Sequence, residues 1–355
     1  MNLDDLTKRR GAWLRGDGPN SDVVISSRIR LARNLAGFPF AARASASDFK
    51  NVVDKVVDAA NAVLPKGDFE IIDFAALSED DATLLHERQL VSQEFVNLDR
   101  PRALIFQHNE ELSVMVNEED HLRMQTTASG FVFKELWKKI NEFDDLFESK
   151  LDYAFDKQFG YLTACPSNVG TGMRASVMLH LPGLIETGEI SRVFHSLKKI
   201  NLEVRGFYGE GSKPLGEFFQ VSNQATLGLS EETIVEQLGQ IVESVLKYER
   251  DARNVILTRD KEGLLDRCFR ALATLQSARL LSVAEAMEKL SSIRLGVHMK
   301  LFNSITPSFV NEALVNIQPV HLRRLADLQG YSPCEDDVLR ADYLREQFAN
   351  VSEGK

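Results

Sequence analysis

Apolar and polar residues alternate in short runs through the first two thirds of the chain and recur at helical spacing in the last third. In 23–31, Val23, Ile25, Ser27, Ile29 and Leu31 fall on one face of a strand. Val24, Ser26, Arg28 and Arg30 fall on the other. Segments 69–74, 103–107 and 112–119 read as further strands, with His108 to Glu111 as a hairpin connection between the last two. In 112–119 the alternation sets Leu112, Val114 and Val116 against Met115, Asn117 and Glu119, so that Glu119 leaves the sheet edge. Strands are also expected at 161–165, 173–180, 202–207 and 217–222, in hairpin-like succession. Helical spacing marks 49–64, 131–143 and 189–200.

From Ser230 the period changes. Ser230 is a good N-cap, Glu231 and Glu232 suit a first turn, and only helices are expected beyond Tyr248. Ser282 with Glu285 and Ser332 with Glu335 fit capping boxes, while Thr306-Pro307 and Gln318-Pro319 mark two more helix starts. The fold class is therefore α+β, an antiparallel-rich sheet flanked by helices followed by an all-helical C-terminal domain. The expected divisions are a lead-in over 1–20 anchored by Trp13, a mixed domain over 21–254, and a helical domain over 255–355.

Composition narrows the classes. The 355 residues are 44% hydrophobic and 26% charged, which is ordinary globular usage and enough for two cores. A net charge of -10 disfavours a general nucleic-acid binder. No apolar run is long enough to cross a membrane, and the polar start is unlike a signal peptide, so a cytoplasmic protein without a membrane partner is expected. Cys165, Cys268 and Cys334 lack metal-ligand spacing and are expected as reduced thiols.

No glycine-rich phosphate loop is present, which leaves arginines to do such work. Arg28, Arg30, Arg123, Arg174 and Arg205 lie at or beside strand ends or loops. Guanidinium groups bind phosphate oxygens bidentately and keep their charge, so a converging set would hold a polyphosphate. Alternation alone also allows a solvated outer face. The acidic triplet Glu118-Glu119-Asp120 reads equally as a solvated loop.

Three longer blocks add to this reading. Ser26-Ser27-Arg28-Ile29-Arg30-Leu31-Ala32-Arg33, Val116-Asn117-Glu118-Glu119-Asp120-His121-Leu122-Arg123 and Cys165-Pro166-Ser167-Asn168-Val169-Gly170-Thr171-Gly172-Met173-Arg174-Ala175 resemble signature blocks of the phosphagen (guanidino) kinases, in that family's order. With Arg205-Gly206-Phe207-Tyr208-Gly209-Glu210-Gly211 they cover about residues 21–250. Within the superfamily, the Tyr-Gly-Glu-Gly turn and the C-terminal helical domain resemble the bacterial protein-arginine kinases of the McsB type.

The resemblance implies a set of roles. Ser26, Ser27, Arg28, Ile29, Arg30, Arg123, Arg174, Ala175, Ser176, Val177, Met178, Arg205, Gly206, Phe207, Tyr208, Gly209 and Glu210 would line an ATP site, with Mg2+ carried by the nucleotide. Glu119 would hold and deprotonate the acceptor guanidinium, with Cys165 and Glu210 beside it. Glu118 and Asp120 would shape the turn and balance the arginines, and lone His121 would serve packing. The implied activity is ATP-dependent phosphorylation of arginine side chains in proteins, in protein quality control or stress regulation, with a Clp-type protease system as partner. It also points to a homodimer, although apolar residues at helical spacing are first of all core. The alternatives are a kinase of a small guanidino compound such as free arginine and a non-catalytic phosphoarginine-binding module.

Two departures from the family pattern stand out. Gln89 replaces a histidine near the adenine end, and Asp336 replaces the first arginine of an RDxxRA motif that senses phosphoarginine, here Asp336-Asp337-Val338-Leu339-Arg340-Ala341.

Overall fold

The computed structural model describes residues 3–206, 215–329 and 335–351. Its strands are β1 Val24–Arg33, β2 Phe69–Asp73, β3 Ala103–Gln107, β4 Leu112–Val116, β5 Leu122–Ser129, β6 Phe155–Asp156, β7 Gly160–Tyr161, β8 Met173–His180, β9 Leu202–Gly206 and β10 Phe218–Asn223. Eight of them form one antiparallel sheet in the order β2-β3-β4-β5-β1-β8-β10-β9, and β6 with β7 forms a small hairpin. The α+β class expected from alternation is therefore found. Strand β1 is central because eight consecutive residues, Ser26 to Arg33, pair with β5, while its other edge pairs with β8.

One sheet face carries the main core. Ile29, Leu31, Val114, Val116, Met124, Ala175, Val177 and Val221 pack there with Val52 and Val56 of the helix Ala46–Val63, Ile140 of Phe133–Glu148 and Leu238 of Glu231–Arg259. The first of these helices begins three residues before Phe49 because Ser45 and Asp48 form a reciprocal capping box. At the β2 edge the opposite face is covered by a smaller cluster around Leu85, Phe95, Phe106 and Met115. A third cluster, including Leu272, Leu290, Leu314 and Phe348 of the C-terminal helices, reaches Ile25, Met178 and Phe218 of the sheet. Between these two covers the polar face of β5, β1, β8 and β10 stays open.

The alternation read over 112–119 is corrected at its end. Strand β4 stops at Val116, because Asn117 adopts a left-handed φ of 63° and its N–H bonds His121 O at 2.9 Å, closing a turn. The helix Glu231–Arg259 runs without a break through residue 254, and the next, Lys261–Ser277, starts after Asp260. Thr306 caps Pro307–Asn316, and Ser282 accepts from Glu285 N–H at the start of Val283–His298. The cap expected at Ser332 and the thiol of Cys334 lie outside the described residues, where the next described helix is Asp336–Phe348.

Candidate active site

Strand registry brings five arginines onto the open face. Arg30 stands opposite Gln125 of β5 and Arg174 of β8, and Arg28 opposite Thr127 and Ser176. Arg205 of β9 pairs in register with Gln220 of β10, which in turn faces Met178 of β8. Because side chains alternate, Ile29 between the two arginines enters the core while its neighbours point away from it. The guanidiniums feel one another. Burial first, then Arg123 and Arg174, lower the Arg28 pKa to about 10. Burial, then Arg28, Arg123 and Arg174, push Arg30 well below its usual range, opposed by Glu118. Arg174 is lowered by burial and by Arg205. Like charges held together this way favour an anion between them.

Arg28, Arg174 and Arg205 also have orienting partners that the sequence reading missed. Gln220 Oε1 accepts from Arg28 Nη2 at 2.8 Å. Glu203 bridges Arg174 and Arg205, the latter at 2.7 Å, and Ser222 Oγ accepts from Arg174 Nη2 at 3.0 Å. Burial alone would raise the Glu203 carboxyl, but the two guanidiniums hold it below its ordinary value. The signal was available, since Glu203 sits two residues before Arg205 and shares its strand face. Arg33, inside the first block, is different. It is 1% exposed, fixed by Asp144 and by the carbonyls of Ala32 and Thr171, with its guanidinium 3.5 Å from the Tyr161 ring centroid. It braces the loop that runs from Cys165 to Gly172.

The acidic turn has a division of labour. Glu118 is buried and pairs with Arg123, while Ser92 Oγ donates to it at 2.7 Å and Glu119 N–H at 2.8 Å. Burial pushes the Glu118 carboxyl up, but Arg123 and these bonds bring it below its usual value. Asp120 is also buried, and its Oδ1 accepts from Asn34 Nδ2 and from Ala164 N–H, both at 2.6 Å. The solvated-loop alternative therefore fails for both. Glu119 alone is exposed at the tip. Partial desolvation by the turn around it, then Asp120 and Glu118, raise its proton affinity. Arg100 clamps the turn from below, donating to the carbonyls of Asn117 and Glu118 while stacking over Phe49. His121 accepts Leu35 N–H on Nδ1 at 3.0 Å, so Nε2 carries the proton shared with Pro39 O at 3.2 Å, a packing role.

Asp120 joins this turn to the cysteine loop, because Ala164 directly precedes Cys165. The Cys165 thiol is half-buried and 2.9 Å from Ser167 Oγ. Thr226 Oγ1 donates to the carbonyls of Ser167 and Val169 at 2.8 Å each, fixing the loop. Gly172 has φ 62°, and a Cβ there would sit 2.6 Å from Ala32 O, which ties the loop's end against β1. Glu119 and Cys165 are thus coupled through one carboxylate, and Arg123 links them to the arginine face through Glu118. A narrow cavity bordered by Trp13, Gln89, Arg28, Thr127 and Met178 continues that face, placing Gln89 at its edge. The side chains of Ser27, Ile29, Ala175 and Val177 are buried, with Ile29, Ala175 and Val177 in the core and Ser27 donating to Gly130 O. Phe207, Tyr208, Gly209 and Glu210 lie outside the described residues.

The family described as ATP:guanido phosphotransferase, C-terminal catalytic domain, matches residues 51–252, and the protein-arginine kinase McsB C-terminal domain matches 261–355. A protein-arginine kinase of Pelotomaculum thermopropionicum is 42% identical over 342 residues, 96% of each chain. The chain belongs to the protein-arginine kinase family. Another protein-arginine kinase, of Brevibacillus brevis, is 41% identical over 96% of this chain and 95% of its own. Among solved structures, a duplicated taurocyamine kinase of Schistosoma mansoni with bound transition-state analogue components matches with a TM-score of 0.60, 24% identity, and coverage of 64% of this chain and 33% of that one. A lombricine kinase matches with a TM-score of 0.59 and 22% identity over 66% and 68%. These two likenesses concern the fold alone. This chain carries both matched parts, a phosphotransferase sheet and a helical C-terminal region. In this member of the protein-arginine kinase family no described helix is long and apolar enough to cross a membrane.

Proposed function

We propose that the protein transfers the γ-phosphoryl group of ATP to the guanidinium of arginine side chains in proteins. The observation that carries this reading is the meeting of a half-buried, mutually repelling arginine face with an exposed carboxylate of raised proton affinity. The arginines would hold the phosphates and the charge that develops on the moving phosphoryl. An acceptor guanidinium has a pKa above about 12 and must lose a proton as the P–N bond forms. Glu119, more basic than an ordinary carboxylate, would orient the acceptor and take that proton, and Cys165 would flank it. Orientation carries much of the rate, which fits a turn anchored through Glu118, Asp120 and Arg100.

The donor set fits a nucleotide polyphosphate better than a protein-held metal. Glu118 and Glu203 are already paired with arginines, and among the described residues no group of three His, Cys, Asp or Glu side chains is placed to hold an ion. Magnesium would arrive on the nucleotide and neutralise phosphate charge there. We further infer that residues 21–254 form the catalytic unit, that the protein works in the cytoplasm in quality control beside a Clp-type protease, and that the helical domain supports a homodimer. The free thiols of Cys165 and Cys268 accord with a reducing compartment.

The test is incubation with labelled ATP and either a denatured protein or free arginine. Acid-labile label on protein, lost with Glu119→Ala, is the expected result. Label on free arginine alone would shift the assignment to a small-molecule kinase, and no label on either would overturn it.

A further inference from the structure

Among the described residues, the exposed phenylalanines are Phe155 and Phe159, at 58% and 46% of full accessibility. Both sit on the β6–β7 hairpin. Asp156 Oδ1 accepts from Gln158 N–H at 2.8 Å and Phe159 N–H at 3.0 Å, so the hairpin holds its shape. The Phe155 ring packs edge-on against Tyr161 at 5.2 Å, and Tyr161 in turn lies against the buried Arg33 guanidinium. A rigid stack therefore ends in an aromatic face turned to solvent, where a lone apolar side chain has nothing to gain.

The hairpin is continuous with the cysteine loop. Tyr161 and Gly170 exchange backbone hydrogen bonds at 2.8 and 3.3 Å. Gly170 has φ 113°, and a Cβ on it would lie 2.4 Å from Thr226 O and 2.8 Å from Leu227 Cα. Leu227 is itself 55% exposed. Gly160, next to Phe159, packs on Gly170 and Gly170 on Leu227, and the same Thr226 that touches Gly170 fixes the carbonyls of Ser167 and Val169 just past Cys165.

We propose that Phe155, Phe159 and Leu227 form an apolar lip beside the acceptor site that binds an apolar side chain of the polypeptide flanking the target arginine. The proposal rests on the function proposed above and adds a selectivity to it. An acceptor arginine within a polypeptide brings its neighbours along the rim of the site, each extended residue adding about 3.3 Å of reach. Continuity with the Cys165 loop makes the flanking segment the occupant. Free arginine has no flanking side chains and gains nothing from the lip.

The test compares two arginine peptides of equal length and charge, one with Leu and Phe around the arginine and one with Gly and Ser. For the wild type the apolar peptide should show a kcat/KM about tenfold higher, carried mainly by KM, as partial burial of one large apolar side chain predicts. Phe155→Ser with Phe159→Ser, and separately Leu227→Ser, should erase that preference while leaving kcat on the Gly/Ser peptide and the KM for ATP unchanged. Phe159→Leu should keep it. Equal use of the two peptides by the wild type, or an undiminished preference in the serine variants, would overturn the lip while leaving the kinase assignment intact. Failure to label either peptide or any denatured protein would overturn both.

Discussion

Replacing Asp120 with alanine tests how the acceptor end of the site is held. Its Oδ1 is the shared acceptor for Asn34 Nδ2 and Ala164 N–H, both at 2.6 Å, on a side chain only 3% exposed. Alanine leaves both donors facing the interior. A hydrogen bond to a charged group contributes about 1.5–3 kcal/mol, so the two set an upper bound of about 6 kcal/mol. Burial is the larger influence on this carboxyl and raises its pKa against the pull of both donors, so desolvation offsets part of that sum. The net destabilisation should be about 2–4 kcal/mol. Asp120→Asn keeps an oxygen able to accept both bonds and should cost about 1 kcal/mol. Urea unfolding measures this as a shift in midpoint at constant slope. In folded Asp120→Ala the Cys165 loop loses its tie to the Glu119 turn. A displacement of about 1 Å at such a site costs about 100-fold in kcat, whereas the KM for ATP should stay within about threefold. Because Asp120 also raises the proton affinity of Glu119, Asp120→Asn should move the acidic limb of the rate profile to lower pH. A folded Asp120→Ala with wild-type kcat, or an acidic limb unmoved in Asp120→Asn, would refute the coupling.

Cys165→Ser should lower phosphoryl transfer by at least about tenfold while leaving nucleotide binding by titration nearly unchanged; equal losses in both would contradict a place beside the acceptor. Glu87, whose carboxylate accepts from Val320 and His321 N–H at the start of the helix Pro319–Gln329, is raised to about 7, chiefly by burial. A carboxyl raised on folding contributes its stability in full at low pH and loses it as pH rises through about 7, so unfolding midpoints should fall between about pH 5 and 8, and Glu87→Gln should flatten that slope. Arg340 is 1% exposed and donates to Ile317 O, Leu281 O and Asp337 Oδ1 at 2.6–2.8 Å. Arg340→Ala should therefore destabilise the protein by about 3–5 kcal/mol in the same unfolding assay. With Arg340 held this way and Asp336 where the family has an arginine, added phosphoarginine should leave the wild-type rate unchanged, and severalfold activation would overturn that expectation.

The sequence by itself determined the main strands and which face of each is polar, although the strand expected over 161–165 shrinks to Gly160–Tyr161 and the helix Glu79–Glu87 was not read. Alternation in β1 and β8 separates Ile29, Ala175 and Val177 from Arg28, Arg30 and Arg174 because successive side chains point to opposite sides of a pleated strand, whatever the strand's neighbours. The change to helical spacing after Ser230 likewise follows from local periodicity and capping. What alternation could not supply was strand order. That β1 lies between β5 and β8, and that β10 separates β8 from β9, depends on pairings between residues as many as 155 positions apart, which no local period encodes. Only those pairings turn five scattered arginines into one face. The same holds for the acidic turn, where Glu118 and Asp120 read as solvated residues and are instead buried, because their partners Arg123, Ser92, Asn34 and Ala164 come from four separate stretches. Tertiary structure decided which of three adjacent carboxylates would be left exposed, and left Glu119.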